Sequence, residues 1–263
     1  MEKKFSFPCV ILCGGKSSRM GCDKALLPFG KKSANFAGQD FKQNAECETK
    51  QDFMQDSLTQ FVYKNLSAHF ERVFLCVKSQ DSKLLRYNLP TIIESRVLQE
   101  NALDCALDFQ NLTFKEQFSP LYGIFCALEF AQKHLSAQYV AFVSVDTPFV
   151  NPLYFESLSL LSQQENCKVA YITQILENDA KKESNKKKEH FLLSLWHVSM
   201  KDALLNALKN KDFKIGALIK STSHASLEIK DNALSFNLNT KEAYHKALEF
   251  LNAPEFQFCA KRH

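Results

Sequence analysis

The chain has 263 residues, of which 45% are apolar and 24% are charged, and its formal net charge is +4. These values exclude a disordered chain and allow one large α/β domain with a substantial core, or two small ones. The small positive charge fits an anionic small-molecule substrate, and it is too weak to indicate a nucleic-acid partner.

The nine cysteines are scattered without a C-x-x-C pair. This pattern indicates reduced thiols in a cytoplasmic protein and argues against a disulfide framework or a zinc site. The opening "MEKKFSFPCVILCGG" has an apolar run that stops at Cys13 without a small-residue cleavage site, so we predict no export signal. No apolar stretch approaches the length of a transmembrane helix, and we expect no membrane partner.

Short apolar runs alternate with helical patterns along the chain, which predicts a mainly parallel sheet with crossover helices. In chain order the predicted strands are Cys9–Cys13, Arg72–Val77, Thr91–Glu94, Tyr139–Val145, Lys168–Thr173, Phe191–Trp196, Ala225–Ile229 and Leu234–Asn237. Apolar residues at helical spacing from Met54 to Phe70 predict the first helix. A second helix is predicted from Ser119 as N-cap and Pro120 at its first position. Further helices are predicted over Pro152–Gln163, Met200–Lys209 and Lys241–Leu251.

Two polar segments interrupt this alternation. Residues 33–53 are polar and aperiodic, and residues 176–190 carry a run of lysines without interleaved aromatic residues. We interpret these lysines as a solvated hairpin tip, because nucleic-acid surfaces combine basic with aromatic side chains. Both segments are predicted to be insertions in a single domain that spans residues 1–263.

The stretch "VILCGGKSSRMGCDKALLPFG" begins as a buried strand and continues as a loop with three cations, Lys16, Arg19 and Lys24. Gly14 and Gly15 let the backbone approach phosphate oxygens and turn its N–H groups toward them. A Walker loop is excluded because Val10 occupies its first glycine position, and the G-x-G-x-x-G dinucleotide fingerprint is absent. The end of a first strand is nevertheless where open α/β sheets bind ligands.

This stretch resembles the signature L-x-G-G-x-S-x-R-M-G-x-D-K of the nucleotidyltransferases related to molybdenum cofactor guanylyltransferase. The matching residues are Leu12, Gly14, Gly15, Ser17, Arg19, Met20, Gly21, Asp23 and Lys24. So many fixed positions in so short a stretch are a far more specific signal than a lone glycine motif.

Four later segments continue the resemblance in the expected order. "FSPLYGIFCAL" is similar to the family's G-P-L-x-G-[ILM] segment, with Ser119 in place of the first glycine, and "FVSVDTPFV" is similar to its D-T-P-[FY] strand end, which contains Asp146. "HFLLSLW" is similar to H-P-x-x-A-L, with Phe191 in place of proline, and "FNLNTKEAY" is similar to N-x-N-T-P-E-[ED], with Lys241 in place of proline. The resemblance covers residues 8–251.

The resemblance implies a single Rossmann-like, three-layer α/β/α nucleotidyltransferase domain with a mainly parallel sheet and a small antiparallel part. It implies transfer of GMP from GTP to the terminal phosphate of molybdopterin (Mo-molybdopterin), which forms molybdopterin guanine dinucleotide and releases pyrophosphate. The implied cofactor is Mg²⁺. The family's logic also implies transient contact with molybdoenzymes or their chaperones, which would receive a labile product.

The reaction brings two anions together, so Lys24 and Arg19 are expected to neutralise the triphosphate. The resemblance implies nucleotide contacts from Leu12, Cys13, Gly14, Gly15 and Ser17, and a Mg²⁺ contact from Asp146. Other interpretations stay open for these side chains: Lys24 is a surface lysine, Arg19 salt-bridges Asp23, or Asp146 caps a following helix.

Glu94 ends the predicted strand "TIIE" where the family has an aspartate that helps bind the nucleotide, so we expect Glu94 in the nucleotide site. Residues 76–78 stand where the family often has a nucleotide-binding asparagine, and they contain none. His190 aligns with a family histidine near the pterin side, or it is solvated beside the charged segment. Trp196 is expected in the core, or at the pterin end of the cleft.

Two alternatives to GMP transfer stay open from the sequence. A nucleotidyltransferase of the same fold with another base or acceptor, such as CTP with molybdopterin or a sugar phosphate, fits the same loop. A non-catalytic nucleotide-binding or scaffold protein fits the departures from the family pattern at Glu94, Ser119, Phe191 and Lys241. The presence of Lys24 and Asp146 weighs against that second alternative.

Overall fold

A computed structural model describes residues 3–14, 23–30, 56–101, 119–176 and 186–253. The described residues fall into two units. The first unit contains those within 1–15, 66–144 and 151–231, and the second contains those within 16–65, 145–150 and 232–263. Each unit therefore draws on separate stretches of sequence. The expectation of a single domain over the whole chain stays a prediction.

In the first unit, the described residues form a seven-stranded sheet in the order β3-β2-β1-β4-β6-β5-β7. The strands are β1 (Cys9–Leu12), β2 (Val73–Val77), β3 (Thr91–Ile93), β4 (Tyr139–Ser144), β5 (Val169–Leu176), β6 (Lys186–His197) and β7 (His224–Ile229). β6 is antiparallel to its neighbours β4 and β5, and the other pairs are parallel. The prediction of a mainly parallel sheet with a small antiparallel part is confirmed.

Helices cover both faces of this sheet. The helices of the described chain are α1 (Leu58–Ser67), α2 (Glu94–Glu100), α3 (Pro120–Leu135), α4 (Tyr154–Gln164), α5 (Lys201–Lys209), α6 (Ile215–Lys220) and α7 (Lys241–Asn252). Val10, Leu12 and Phe142 point to the face that α3 and α5 cover, in one buried cluster with Trp196. α4 packs on β5, β6 and β7 from the opposite face of the sheet. Successive residues of a strand point to alternate faces, so one strand can contact helices on both sides. The first unit thus has three layers.

The start of α3 follows the prediction from the sequence. The Ser119 hydroxyl accepts a hydrogen bond from the Leu121 N–H at 3.3 Å, and Pro120 occupies the first turn, where no N–H donor is needed. α3 ends at Ser136, whose φ of 50° is left-handed. Both ends of α3 are therefore set by local sequence. The helix lies against the carboxyl ends of the strands.

Three expectations from the sequence are wrong or incomplete. Leu234–Asn237 was expected as a strand, but residues Asn232–Ser235 form a 3₁₀ helix, since only Leu234 in that stretch has a core position. β3 ends at Ile93, so Glu94 is the first residue of α2, a helix too short for its periodicity to stand out. β6 begins at Lys186, because its charged first half pairs with the end of β5 as an exposed ribbon.

The charged segment is therefore partly regular structure. Leu176 ends β5 and residues 186–190 belong to β6, while the rest of that predicted insertion lies outside the described residues. The predicted insertion at residues 33–53 also lies outside them. In the described ranges, no helix is both long enough and apolar enough to cross a bilayer.

The second unit is built around aromatic side chains. Phe29, Phe61 and Phe149 contact one another, with ring centroids 4.9–6.3 Å apart. Phe149 also contacts Phe236 and Phe250. Edge-to-face contacts of this kind stabilise a small core beyond the area they bury. The second unit thus has an apolar cluster of its own beneath its polar residues.

Gly123 in α3 offers a test of the packing in the first unit. A Cβ added to Gly123 would lie 3.0 Å from Leu12 Cδ2, 3.1 Å from Glu94 Oε1 and 3.4 Å from Cys76 Sγ. We expect Gly123→Val to lower the free energy of unfolding by about 1–3 kcal/mol, because these neighbours are buried and would have to move. Urea unfolding followed by far-ultraviolet circular dichroism measures this change.

Gly30→Val is the matched control, because a Cβ at Gly30 meets no atom of the described residues within 4 Å. We expect that variant to stay within about 0.5 kcal/mol of the wild-type chain. Equal stability of Gly123→Val and wild type would contradict the close approach of α3 to β1.

Candidate active site

The first unit gathers polar residues where β1, β2 and β3 end. Cys13 and Gly14 follow β1, and the Cys13 N–H donates to the Cys76 carbonyl at 3.0 Å, which extends the β1–β2 pairing beyond Leu12. A Cβ added to Gly14 would lie 3.6 Å from Glu94 Oε1 and 3.9 Å from Lys78 Cγ. The first glycine of the predicted phosphate loop therefore stands beside Glu94, as expected for a nucleotide site at the carboxyl ends of parallel strands.

Glu94 is a buried carboxylate, with a relative accessibility of 5%. Its Oε2 lies 3.5 Å from Lys78 Nζ, and its Oε1 accepts from the Cys76 thiol at 3.9 Å. Burial raises the pKa of Glu94, and the charge of Lys78 opposes that rise. The ammonium of Lys78 also lies 5.2 Å from the centroid of the Tyr122 ring, which makes a cation–π contact.

The thiols of this region are buried packing residues. Burial raises the pKa of Cys76, and the nearby charge of Glu94 raises it further. The pKa of Cys126 is raised for the same two reasons, and its thiol donates to the Glu94 carbonyl at 3.8 Å. The described cysteines Cys9, Cys13, Cys76, Cys126 and Cys167 form no disulfide with one another.

The second unit holds a charged cluster formed by Lys24, Asp146 and Asn239. Lys24 Nζ donates to Asp146 Oδ2 at 2.8 Å and to Asn239 Oδ1 at 3.0 Å. The side chains of Lys24 and Asp146 are each 13% exposed, so solvent screens their attraction only partly. The Asn239 amide nitrogen donates to Asn237 Oδ1, while the Asn239 amide oxygen faces the Lys24 ammonium, which can only donate.

Local structure holds the members of this cluster in place. Lys24 opens the 3₁₀ helix Lys24–Leu26, which Asp23 caps by accepting a hydrogen bond from the Ala25 N–H at 3.1 Å. The Leu238 N–H donates to the Asp146 carbonyl at 3.0 Å. Asp23 therefore fixes the backbone at the start of this short helix. Asp146 is not a helix cap, since the next helix, α4, begins at Tyr154.

Several predicted site residues lie outside the described residues. Gly15, Ser17 and Arg19 belong to this group, so their nucleotide contacts and the proposed Arg19–Asp23 salt bridge stay predictions. Leu12 ends β1 and is buried, and only its backbone is placed for a ligand contact.

His190 and Trp196 have different surroundings in β6. His190 Nε2 lies 3.1 Å from Gln174 Oε1, so His190 belongs to a polar contact and is not simply solvated. Trp196 is fully buried and its indole N–H donates to the Ser194 hydroxyl at 2.8 Å. The expectation that Trp196 belongs to the core is confirmed.

Three polar residues of these two clusters have no role predicted from the sequence. Asn237 and Asn239 lie in the quoted segment "FNLNTKEAY", and two asparagines at that spacing were a usable signal. Lys78 gave no signal, because its pairing with Glu94 depends on the neighbouring positions of β2 and α2.

Oxygen donors at Asp146 suit a hard cation. The Asp146 carboxylate and the Asn239 carboxamide oxygen contact the same ammonium group of Lys24, and Mg²⁺ prefers oxygen ligands of these types. No group of three or more His, Cys, Asp or Glu side chains that could hold a metal occurs within the described ranges. A Mg²⁺ ion here would therefore take most of its ligands from water and phosphate, as Mg²⁺ commonly does.

The fold and the two clusters define a class of protein. A mainly parallel α/β sheet whose first strand is followed by Gly14, in a chain with a lysine paired to an aspartate just beyond β4, is typical of nucleotide-handling transferases. The model of the MobA-like NTP transferase domain matches residues 9–225. The chain belongs to this family.

Curated relatives match along almost the whole chain. It is 29% identical over 251 residues to the molybdenum cofactor guanylyltransferase of Helicobacter pylori strain ATCC 700392 / 26695, covering 94% of each chain. The protein of the same name from H. pylori strain G27 is 30% identical with the same coverage. The protein of that name from Campylobacter jejuni serotype O:6 is 28% identical over 239 residues, covering 90% of this chain and 93% of the relative.

Solved structures share the fold. Molybdopterin-guanine dinucleotide biosynthesis protein A from Archaeoglobus fulgidus superposes with a TM-score of 0.59 at 18% identity, covering 93% of this chain and 98% of that one. The 2-C-methyl-D-erythritol 4-phosphate cytidylyltransferase from Thermus thermophilus superposes with a TM-score of 0.54 at 10% identity, covering 93% of this chain and 98% of that one. Both likenesses support a nucleotidyltransferase fold.

The buried thiols around Glu94 give a testable property. At pH 8 we expect Cys76 and Cys126 to react with iodoacetamide about 100-fold more slowly in the folded chain than in urea, because a raised pKa leaves little thiolate. Peptide mass spectrometry measures the rate at each cysteine. Cys13, which is only partly buried, is the internal control and reacts faster than Cys76. Rapid labelling of Cys76 in the folded chain would contradict its enclosure.

Proposed function

We propose that the chain is a molybdenum cofactor guanylyltransferase, which transfers GMP from GTP to the terminal phosphate of molybdopterin to form molybdopterin guanine dinucleotide. The similarity to relatives of that name, 29–30% identical over 94% of both chains, carries this proposal. The contact between Lys24 and Asp146 supports it, because residues expected to act on one triphosphate lie 2.8 Å apart.

In the proposed reaction, an oxygen of the molybdopterin phosphate attacks the α-phosphorus of GTP. A new P–O–P linkage forms, the bond to the β-phosphate breaks, and pyrophosphate leaves. Both reactants are anions, so catalysis depends on positioning and on neutralising charge more than on a strong base. Lys24 and Arg19 are the proposed cations, and the backbone from Leu12 to Ser17 is the proposed cradle for the nucleotide.

Asp146 is the proposed Mg²⁺ ligand. Its carboxylate would hold the ion with the Asn239 carboxamide oxygen beside it, and the bound ion would neutralise phosphate oxygens. Lys24 holds the Asp146 carboxylate in position at 2.8 Å. Asn239 constrains the lysine from a second side at 3.0 Å.

Glu94 is the proposed carboxylate of the nucleotide site in the first unit, beside Gly14. The proposed partners are GTP and molybdopterin, with transient contact to a molybdoenzyme or its chaperone at the release of product.

Purified chain incubated with GTP, Mg²⁺ and molybdopterin tests this function. We expect GTP consumption with stoichiometric release of pyrophosphate and formation of the guanine dinucleotide, measured by chromatography. CTP and UTP in parallel reactions distinguish a nucleotidyltransferase with another base. Binding of GTP without pyrophosphate release would instead support a non-catalytic nucleotide-binding protein.

Lys24→Ala is expected to lower turnover by about 10²–10³-fold, because a preorganised cation next to the transferring phosphate is lost. Pyrophosphate release at saturating GTP measures the change. Lys64→Ala is the matched control, since Lys64 also pairs with an aspartate but its side chain is 66% exposed. Wild-type turnover in Lys24→Ala would remove this lysine from the mechanism.

Mg²⁺ is expected to strengthen GTP binding, and in Asp146→Asn the factor of this strengthening is expected to be at least about tenfold smaller. The reason is that an amide is a poorer ligand for Mg²⁺ than a carboxylate. Calorimetric titrations of GTP at several Mg²⁺ concentrations measure this dependence. Asp56→Asn, at the partner of Lys64, is the control for loss of a carboxylate in the same unit. An unchanged Mg²⁺ dependence in Asp146→Asn would rule out the assignment.

A further inference from the structure

The Lys78–Glu94 pair in the first unit has one inward and one outward member. Glu94 Oε1 is surrounded by Cys76, Gly14 and Gly123. The Glu94 side chain is only 6% exposed. The Lys78 side chain is 28% exposed. A ligand arriving from solvent at this edge of the sheet therefore meets the ammonium group before the carboxylate.

Glu94 and Tyr122 are among the neighbours that hold the Lys78 ammonium in place. Glu94 Oε2 lies 3.5 Å from it, and the Tyr122 ring centroid lies 5.2 Å away. Lys78 directly follows Val77, the last residue of β2, and its Cγ approaches Gly14. A long, flexible side chain that is constrained in this way loses less freedom when it binds a ligand.

We propose that Lys78 is the member of this pair that contacts the nucleotide, donating hydrogen bonds to O6 and N7 of guanine, and that Glu94 acts through Lys78 as a positioning residue. This inference rests on the proposed use of GTP. It differs from the expectation that the carboxylate at position 94 contacts the nucleotide directly.

The chemistry of the pair favours a neutral acceptor over a phosphate. The Glu94 carboxylate lies 3.5 Å from the Lys78 ammonium. An anion that approaches from solvent therefore meets a pair with no net charge, and the carboxylate repels it. A carbonyl oxygen and a ring nitrogen carry no net charge and still accept hydrogen bonds from the ammonium. Guanine presents two such acceptors, O6 and N7, on one edge, whereas adenine and cytosine place an amino donor there.

Binding measurements on the full chain test this assignment with three probes: GTP, 7-deaza-GTP and inorganic triphosphate. Lys78→Met is expected to weaken GTP binding by about 10- to 100-fold, the range for a lost contact to O6 and N7, and to leave triphosphate binding unchanged. 7-Deaza-GTP, which lacks N7, is expected to bind wild type more weakly than GTP does and to lose less affinity than GTP in Lys78→Met.

A double-mutant cycle separates the roles of the two residues. Glu94→Gln alone is expected to weaken GTP binding by about threefold to tenfold, because Lys78 loses its anchor, and to have little further effect in the Lys78→Met background. The double variant carries no unpaired buried charge, so it also provides a folded protein if Lys78→Met alone is unstable. Lys83→Met, at an exposed lysine in the 3₁₀ helix Lys83–Tyr87, is the control for loss of one positive charge.

Three results would overturn the inference while leaving the proposed function intact. They are unchanged GTP affinity in Lys78→Met, an equal loss of GTP and triphosphate affinity in that variant, and a loss from Glu94→Gln that is as large in the Lys78→Met background as in wild type. A wild-type chain that binds no GTP would overturn both proposals.

Discussion

The structure of the first unit depends on the parallel pairing of β1 on both sides. Cys9 to Leu12 are paired in register with Val73 to Cys76 of β2 and with Ala141 to Ser144 of β4. Because the backbone donors and acceptors of β1 are used within the sheet, the chain leaves the strand at a fixed point, and Cys13 and Gly14 stand at its edge. The buried side chains of β1 then allow α3 to approach so closely that a Cβ at residue 123 would lie only 3.0 Å from Leu12 Cδ2.

The two clusters solve different electrostatic problems. In the first unit, burial of Glu94 would be costly without a compensating charge, and Lys78 supplies that charge while staying accessible. In the second unit, Lys24 and Asp146 are both largely shielded from solvent, and Lys24 also donates to Asn239. Removing either partner would leave an uncompensated charge, which costs more than the pair itself contributes. In each cluster, therefore, the oppositely charged side chains stabilise one another without a bound ligand.

The sequence predicted the fold well where a residue's own chemistry decides its structure. Apolar runs such as that of β4 predicted the central strands, and Ser119 with Pro120 predicted the start of α3. The nine-position loop signature singled out Lys24 and the strand end singled out Asp146 as candidates, and the structure brings these two side chains into contact. Prediction was weaker where structure depends on distant neighbours. The stretch around Leu234 was predicted as a strand, because its packing against the rest of the second unit cannot be inferred from the local sequence. The Lys78–Glu94 pair could not be predicted either, because no sequence spacing connects these two residues.

Trp196 has a consequence for any study of this chain in solution. It is the single tryptophan of the sequence, and it is fully enclosed in the first unit with its indole N–H bonded to Ser194. Its fluorescence spectrum therefore reports whether the sheet of that unit is intact. The aromatic cluster of the second unit consists of phenylalanine rings and Tyr244. A melting curve recorded by tryptophan emission therefore reports directly on the first unit, and a separate spectroscopic label is needed to follow the segment that holds Lys24 and Asp146 directly.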